Sequence, residues 1–261
     1  MSAVDFEAFV HELANVSGQA ILPFFRTAIG VEDKSRGASF DPVTAADRAA
    51  EQAMRALIRR TFPEHGITGE EFEDDRPDAE FVWTLDPIDG TKSFIAGMPA
   101  WGTLIGLSRS GEPCYGMMHQ PFIRERFYGD GGSARYRGPA GERRLAVRPC
   151  PALDQALMVT TSPLLMNDHD RARFVEVERK VRLSRYGGDC YAYCMVAAGH
   201  VDLVIETNLH DHDILPLIPV IEGAGGIVTD WEGKRPLEGG RVVVAGDPRV
   251  HAAALAVLAG G

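Results

Sequence analysis

The sequence has few cysteines, no excess of basic residues and no long apolar run. Four cysteines occur among 261 residues, and their spacing matches no zinc-binding pattern. We therefore expect four reduced, mostly buried thiols, as is usual in cytosolic proteins. No apolar stretch approaches the roughly 20 residues that a membrane-spanning helix needs. We therefore expect no membrane-spanning helix.

Basic residues are outnumbered, with 27 Lys and Arg against 37 Asp and Glu, a net charge of −10. This balance argues against binding nucleic acid through bulk charge. It leaves a small anionic substrate open, because bound cations can invert the local field. The first residues include acids and lack the basic and apolar regions of a signal peptide. We expect a cytoplasmic protein that binds neither nucleic acid nor membrane.

The length allows one large domain or two closely packed halves. Residues 139–152 are rich in proline, glycine and charge, which indicates a boundary between a half at 1–145 and a half at 146–261. Apolar residues at helical spacing predict a first helix over 4–28, with a kink or break late in the helix at Pro23. Residues 29–42 are predicted to be a polar loop. The strands that follow predict an antiparallel sheet flanked by two opening helices.

A second helix is predicted to begin at Thr44 and to run to about residue 62. Thr44 is a plausible N-cap, and Asp47 stands where a capping-box partner belongs. In the second half, Gly187 and Gly188 open a predicted helix whose free N–H groups would form an anion site. Residues 93–99 are predicted to form a loop, and residues 167–170 to cap a helix over 171–180. A later helix is predicted over residues 214–222, with Pro216 in its first turn and a bend at Pro219.

The most informative stretch lies at residues 81–91. An apolar run predicts a strand, followed by Asp86, a proline, Asp89 and a glycine. Proline cannot continue the hydrogen-bond ladder and glycine permits unusual backbone angles, so a sharp turn is predicted at the strand end. The turn would hold two carboxylates side by side. A hard divalent cation such as Mg²⁺ would compensate their repulsion, but a surface Asp-Pro and Asp-Gly turn has the same pattern.

The motif Asp-Pro-Ile-Asp-Gly-Thr at residues 86–91 resembles the signature of the inositol monophosphatase superfamily, magnesium-dependent and lithium-sensitive phosphatases. Gly-Glu-Glu at 69–71 resembles a second family motif. His-Asp-Ile at 212–214, followed by Glu-Gly-Ala-Gly-Gly at 222–226, resembles a third, with His212 in place of the usual tryptophan. The stretch before Asp47 resembles the family's Asp-x-Val-Thr-x-x-Asp.

The resemblance implies an α+β fold, a layered α-β-α-β-α sandwich, and a site with two or more Mg²⁺ ions. The metal ligands implied by the family are Glu70, Asp86, the carbonyl of Ile88, Asp89 and Asp213, with Asp86 between two metals. Thr91 and Asp47 would orient and deprotonate the attacking water, and Glu70 is counted with them as catalytic. Substrate would contact Gly90, Thr91, Asp189, Glu206 and Asp213. Relatives commonly form homodimers, so we expect one here.

Residues 187–193 and 94–103 resemble the histidinol-phosphatase branch of this superfamily. Histidinol phosphate carries an ammonium and an imidazole, and a partly desolvated carboxylate would suit that cation. Asp189 and Glu206 are the candidates. The alternatives are an N-cap role for Asp189 and a solvated strand end for Glu206, and Glu206 also matches a position used by inositol-specific relatives.

Three hypotheses follow for the function. The first is hydrolysis of L-histidinol phosphate to L-histidinol and phosphate in histidine biosynthesis. The second is an inositol-1-phosphate phosphatase or a broad-specificity sugar phosphatase. The third is a non-catalytic, metal-binding regulatory module that has kept the fold. In the first two, the partner is a small phosphorylated substrate. The complete set of acids argues against the third.

Overall fold

The structure is a computed structural model that describes residues 6–27, 31–33 and 42–260. Within them, eight helices alternate with two large sheets and one small one. The helices are α1 (Phe6–Ile21), α2 (Ala45–Thr61), α3 (Thr91–Ile95), α4 (Asp168–Glu178), α5 (Asp189–Ala197), α6 (Asp211–Ile214), α7 (Ile218–Gly223) and α8 (Pro248–Leu258). None of these helices is both long and apolar enough to cross a bilayer.

The strands form a seven-stranded sheet in the order β3-β4-β5-β6-β7-β8-β9, a five-stranded sheet in the order β11-β10-β12-β14-β13, and the pair β1-β2. Their bounds are β1 (Val31–Asp33), β2 (Pro42–Thr44), β3 (Gly66–Gly69), β4 (Phe81–Asp89), β5 (Gly102–Arg109), β6 (Glu112–Gln120), β7 (Glu125–Gly129), β8 (Ala134–Gly138), β9 (Gly141–Arg144), β10 (Leu157–Thr160), β11 (Leu183–Tyr186), β12 (Leu203–Leu209), β13 (Ile227–Asp230) and β14 (Gly240–Ala245).

Five layers stack in the order helix, sheet, helix, sheet, helix. Helices α1 and α2 pack on the seven-stranded sheet, and α7 packs on its other face at β6, β7 and β8. Helix α5 contacts α7 and the five-stranded sheet, whose far side is covered by α4 and α8. Each interface between layers holds a buried apolar cluster. The predicted α-β-α-β-α sandwich is confirmed.

The first helix ends at Ile21, two residues before Pro23, and the chain continues as turns to residue 27, so the break predicted at Pro23 is confirmed. Part of the predicted loop over 29–42 is wrong, since residues 31–33 pair with 42–44 as an antiparallel ladder. Residues 28–30 and 34–41 lie outside the described part, as does the side chain of Thr44, so its capping role stays a prediction.

The sequence predicted that strand β4 ends before Pro87, and this is wrong. It continues to Asp89, and the register shifts between Asp86, which pairs with Leu104, and Asp89, which pairs with Gly102. Three residues of β4 advance against two of β5, which makes a bulge at the proline. The carbonyl of Pro87 is satisfied there by the Thr103 hydroxyl at 2.8 Å. The turn follows at Gly90, which has a φ of 85°.

The helix predicted over residues 214–222 is divided. Helix α6 ends at Ile214 and α7 begins at Ile218. Pro219 therefore lies in the first turn of a new helix and does not bend a longer one. Pro216, between the two helices, packs against two glycines of the seven-stranded sheet. A Cβ atom at Gly116 would lie 1.9 Å from the Pro216 carbonyl oxygen, and one at Gly106 would lie 3.2 Å from Pro216 Cα. Close packing and the missing N–H of Pro216 together explain the break.

The predicted loop over residues 93–99 begins as the last turn of α3, which covers Thr91–Ile95. Other predicted elements agree with the structure, among them the cap of α4. There the side chain of Asn167 accepts a hydrogen bond from the Asp170 N–H at 2.9 Å. All four cysteines are free, and three of them are buried. The seven-stranded sheet ends at Arg144, close to the predicted boundary between the halves, which stays a prediction.

Candidate metal centre

Three carboxylates meet at the bulged end of β4. Asp86 and Asp89 lie on either side of the bulge, and Asp213 comes from α6 on the other half of the chain. One carboxylate oxygen from each lies within 4.8 Å of the other two. The bulge makes this possible, because it lets two acids three residues apart on one strand approach the same point.

Asp213 is fixed by the chain that precedes it. Its Oδ2 accepts the backbone N–H of His210 at 2.7 Å, and its own N–H donates to the His210 carbonyl at 3.3 Å. His212, which replaces the tryptophan of the family, stacks on His210 with ring centroids 5.1 Å apart. Its Nε2 lies 3.8 Å from Asp213 Oδ1, so an imidazole borders the cluster.

The cluster is short of positive charge. Burial and then the charges of Glu70, Asp89, Asp213 and Asp47 raise the pKa of Asp86 well above its ordinary value. Burial likewise raises the pKa of Asp213, although nearby His212 opposes that shift. Asp86 Oδ1 is buried without a hydrogen-bond partner among the residues that the structure describes. Such an atom implies a missing partner, since buried acceptors are costly when unsatisfied.

The carboxylate of Asp89 occupies the predicted anion site at the N-terminus of α5. Its Oδ2 accepts the Cys190 N–H at 2.6 Å, in the first turn of α5. The predicted anion site at the glycine-opened helix is therefore used by a carboxylate of the protein itself. Burial and the charges of Asp213 and Asp189 still raise the pKa of Asp89 well above its ordinary value.

Glu70 and Asp47 border the cluster from the first half of the chain. Glu70 directly follows β3, and Asp47 is buried in the first turn of α2. Both charges act on the pKa of Asp86, which places them in its electrostatic neighbourhood. The Thr91 hydroxyl donates to the carbonyl of Ile88 at 3.1 Å. That carbonyl keeps a second lone pair for another partner.

A cavity of about 510 Å³ opens beside the cluster, within the range usual for small-molecule sites. Its walls come from the β4–α3 turn, the start of α5 and the end of β12. The five residues predicted to contact substrate all line it. They are Gly90, Thr91, Asp189, Glu206 and Asp213. Their roles in binding stay predictions.

The alternative N-cap role for Asp189 is wrong. Helix α5 begins at Asp189 itself, after Gly188, and Asp189 has a positive φ of 43°. Its Oδ2 accepts the Ser93 hydroxyl at 2.6 Å, and burial raises its pKa. A Cβ atom at Gly90 would lie 3.1 Å from Asp189 Cβ, so the absent side chain at Gly90 lets the two segments touch.

The alternative of a solvated strand end for Glu206 is also wrong. Strand β12 continues to Leu209, and Glu206 is only 6% exposed. Its Oε1 accepts the N–H of Thr161 at 2.6 Å and the Thr161 hydroxyl at 2.8 Å. Burial raises the pKa of Glu206 to about 7 despite these bonds.

Glu206→Gln is expected to stabilise the metal-free protein in mild alkali. The pKa of Glu206 is higher in the folded than in the unfolded chain, so its stabilising contribution is full below pH 4.5 and is lost as pH rises through about 7. A neutral amide avoids that loss, so the free energy of unfolding should rise by about 1–3 kcal/mol near pH 8. Urea unfolding near pH 8 and near pH 5 measures this.

The exposed Glu64→Gln variant is the control for Glu206→Gln and should show no such pH dependence. A difference between Glu206→Gln and the parent that is equal at both pH values would assign the effect to packing instead of charge.

The donor set fits a hard divalent cation. Carboxylate and carbonyl oxygens are the ligands that Mg²⁺ takes in proteins. Here three carboxylates converge, the pKa values of Asp86 and Asp89 are raised by burial and by the charges of neighbouring acids, and one oxygen of Asp86 lacks a partner within the described chain. A cation at this point would satisfy that oxygen and relieve the repulsion.

Several cavity residues were missed by sequence reasoning. Thr161 holds Glu206, Ser93 holds Asp189, and Lys92, Tyr193 and Leu165 share the wall. Thr161 follows β10, which pairs in parallel with β12, the strand of Glu206. Some 45 residues separate the two in sequence, so local pattern gives no signal for the contact. Lys92 and Ser93 directly follow the motif at residues 86–91, so their position in the sequence could have indicated that they lie at the site.

A layered α+β sandwich with acids clustered at a bulged strand end, beside a cavity, is the architecture of a metal-dependent phosphomonoesterase. The chain belongs to the inositol monophosphatase family, whose model matches residues 4–259.

The comparisons also identify individual relatives. The bifunctional phosphatase IMPL2, chloroplastic, of Arabidopsis thaliana is 44% identical, covering 97% of this chain and 75% of that protein. The histidinol-phosphatase of Mycobacterium tuberculosis is 35% identical, covering 77% of this chain and 79% of that protein. The structure of an inositol monophosphatase from Zymomonas mobilis has a TM-score of 0.87 at 41% identity and covers 98% of this chain and 100% of that one.

Proposed function

We propose that this phosphatase hydrolyses L-histidinol phosphate to L-histidinol and phosphate with Mg²⁺ as cofactor. The observation that supports the substrate is the charge of the cavity. Beyond the metal cluster, its wall carries two further acids with raised pKa values, the partly buried Asp189 and the buried Glu206. Buried acids with raised pKa values gain most when a cation comes to them, and histidinol carries an ammonium group. The similarity to a protein named histidinol-phosphatase supports the same choice.

Two or more Mg²⁺ ions would be held by Glu70, Asp86, the Ile88 carbonyl, Asp89 and Asp213. Bound there, they would supply charge stabilisation to the attacking and leaving oxygens of an in-line displacement. Asp47 would take a proton from the attacking water, which Thr91 orients. The bond from the water oxygen to phosphorus forms as the ester P–O bond breaks, and the leaving alcohol regains a proton from solvent.

Inositol 1-phosphate or a broad range of sugar phosphates is the second candidate. The carboxylates of the cavity wall can accept hydrogen bonds from sugar hydroxyls as well as from ammonium groups. The likeness to the Zymomonas mobilis inositol monophosphatase favours it. For either substrate we propose a homodimer, because relatives commonly form one, and a cytoplasmic location, which the four free thiols favour. For the first substrate we also propose a place in histidine biosynthesis.

A substrate panel tests the proposal. Phosphate release is measured from histidinol phosphate, inositol 1-phosphate and p-nitrophenyl phosphate, each with and without Mg²⁺. We expect release to require Mg²⁺ and kcat/KM to be highest for histidinol phosphate. If histidinol phosphate is turned over no better than p-nitrophenyl phosphate, the proposed substrate is wrong.

Asp189→Asn is expected to weaken the use of histidinol phosphate selectively. Removing one partner of a charged hydrogen bond costs about 1.5–3 kcal/mol, so kcat/KM should fall roughly 10- to 100-fold, mainly through KM. Inositol 1-phosphate has no ammonium group, so its kcat/KM should change little. Steady-state kinetics on both substrates measures the difference. An equal loss on both would show that Asp189 acts on the site as a whole.

A further inference from the structure

Two residues of α2 form a buried ion pair that packs against the segment following Glu70. Glu51 is fully buried and Arg55 is 2% exposed. They are one helical turn apart, and Arg55 Nε donates to Glu51 Oε1 at 2.7 Å. A buried ion pair contributes little net stability, because the cost of desolvation offsets the attraction. What the pair contacts is therefore more informative than the pair alone.

Both partners use their remaining atoms on the backbone that follows Glu70. Glu51 Oε2 accepts the N–H of Glu71 at 2.8 Å. Arg55 donates through Nη2 to the carbonyl of Phe72 and through Nη1 to the carbonyl of Glu73, each at 3.1 Å. Three consecutive residues of an irregular segment are thus bound to one point inside a helix.

The residue before Glu70 lies against the same carboxylate. A Cβ atom at Gly69 would lie 2.5 Å from Glu51 Oε1, so the strand end can pass this close only without a side chain. On the other side, the Glu70 N–H donates to the Leu85 carbonyl at 3.3 Å, next to Asp86 on β4. The backbone of Glu70 is therefore held before, at and after the residue.

We propose that the Glu51–Arg55 pair is a positioning device that holds Glu70 against the metal cluster. The inference rests on the proposed function, which gives Glu70 a place among the metal ligands. Neither Glu51 nor Arg55 lines the cavity. It acts through the backbone of residues 69–73, so its loss should affect metal affinity more than substrate affinity. Supporting residues behind metal ligands typically change metal affinity about 10- to 100-fold.

The test uses the double variant Glu51→Leu with Arg55→Met. Removing both charges leaves neither buried ion unpaired, so the fold should survive. Mn²⁺ binding to the full chain is followed by electron paramagnetic resonance of free Mn²⁺, and thermal unfolding is recorded without metal. We expect Mn²⁺ affinity to fall about 10- to 100-fold. Saturating Mg²⁺ should restore much of the activity, with KM for substrate close to that of the parent.

Glu70→Gln supplies the decisive comparison. If the pair acts through Glu70, adding Glu51→Leu and Arg55→Met to Glu70→Gln should weaken Mn²⁺ binding little further. Full additivity of the two losses, or unchanged Mn²⁺ affinity in the double variant, would overturn the proposal. Arg59→Met is the matched control, because Arg59 lies one turn further along α2 and pairs with Asp75 instead. It should bind Mn²⁺ like the parent.

Arg55→Lys covers the case in which the double variant does not fold. Lysine keeps a positive charge beside Glu51 but lacks the planar fork that reaches both carbonyls. A smaller loss of Mn²⁺ affinity is expected, and none at all would count against the device. If the parent itself binds no Mn²⁺ and releases no phosphate, the proposed function fails. If the parent binds Mn²⁺ and the variants bind it equally well, only the positioning role fails.

Discussion

Asp86→Asn is expected to lower Mg²⁺-dependent phosphate release by roughly 10³-fold or more. Asp86 is the most buried of the three clustered acids, and the other acids around it raise its pKa, so it stands at the centre of the charge that a cation would neutralise. A metal centre lowers the activation barrier by several kcal/mol, and each 1.4 kcal/mol changes the rate about tenfold. The measurement is phosphate release from histidinol phosphate over a range of Mg²⁺ concentrations.

The same variant should not weaken the metal-free fold. An amide at position 86 removes one of the like charges in the cluster, so thermal unfolding without metal should occur at the same temperature or higher. The exposed Asp78→Asn variant is the control and should keep full activity. Equal phosphate release by Asp86→Asn and the parent would remove Asp86 from the mechanism. Release by neither protein, with Mn²⁺ bound by the parent, would favour the metal-binding module over the enzyme.

Asp47→Asn is expected to lower kcat by about 10²- to 10⁴-fold, the usual contribution of a positioned general base. Asp47 is buried in the first turn of α2, and its charge acts on the pKa of Asp86. An amide has nearly the same shape but cannot accept the proton from water. Steady-state kinetics at saturating Mg²⁺, together with Mn²⁺ titration, measures the change.

The two measurements on Asp47→Asn separate a base from a metal ligand. A base predicts a fall in kcat with Mn²⁺ affinity close to that of the parent. A ligand predicts weaker Mn²⁺ binding and partial recovery at high metal concentration. An unchanged kcat, accompanied only by lower helix stability, would leave Asp47 with the structural role of a first-turn acid.

The clustered acids could be named from the sequence because each lies in a short motif that resembles a motif of the family. The strand, proline and glycine around Asp86 and Asp89 are adjacent in the chain, and the matching motifs at Glu70 and Asp213 are equally compact. The same holds for the cap at Asn167 and for α2, whose buried residues follow helical spacing. In each case the residues that form the recognisable pattern lie within a few positions of one another.

The sequence, through its resemblance to the family, was sufficient to predict the layered fold class and the meeting of Asp86, Asp89 and Asp213. Tertiary structure decided the bulge that keeps Asp89 on β4, the break between α6 and α7, the burial of Glu206 and the capture of the α5 N-terminus by Asp89. Each of these depends on a contact between segments far apart in the chain, such as β10 beside β12 or Pro216 against Gly116. Backbone hydrogen bonding and close packing set such contacts, and neither leaves a periodic trace in the residues that make them.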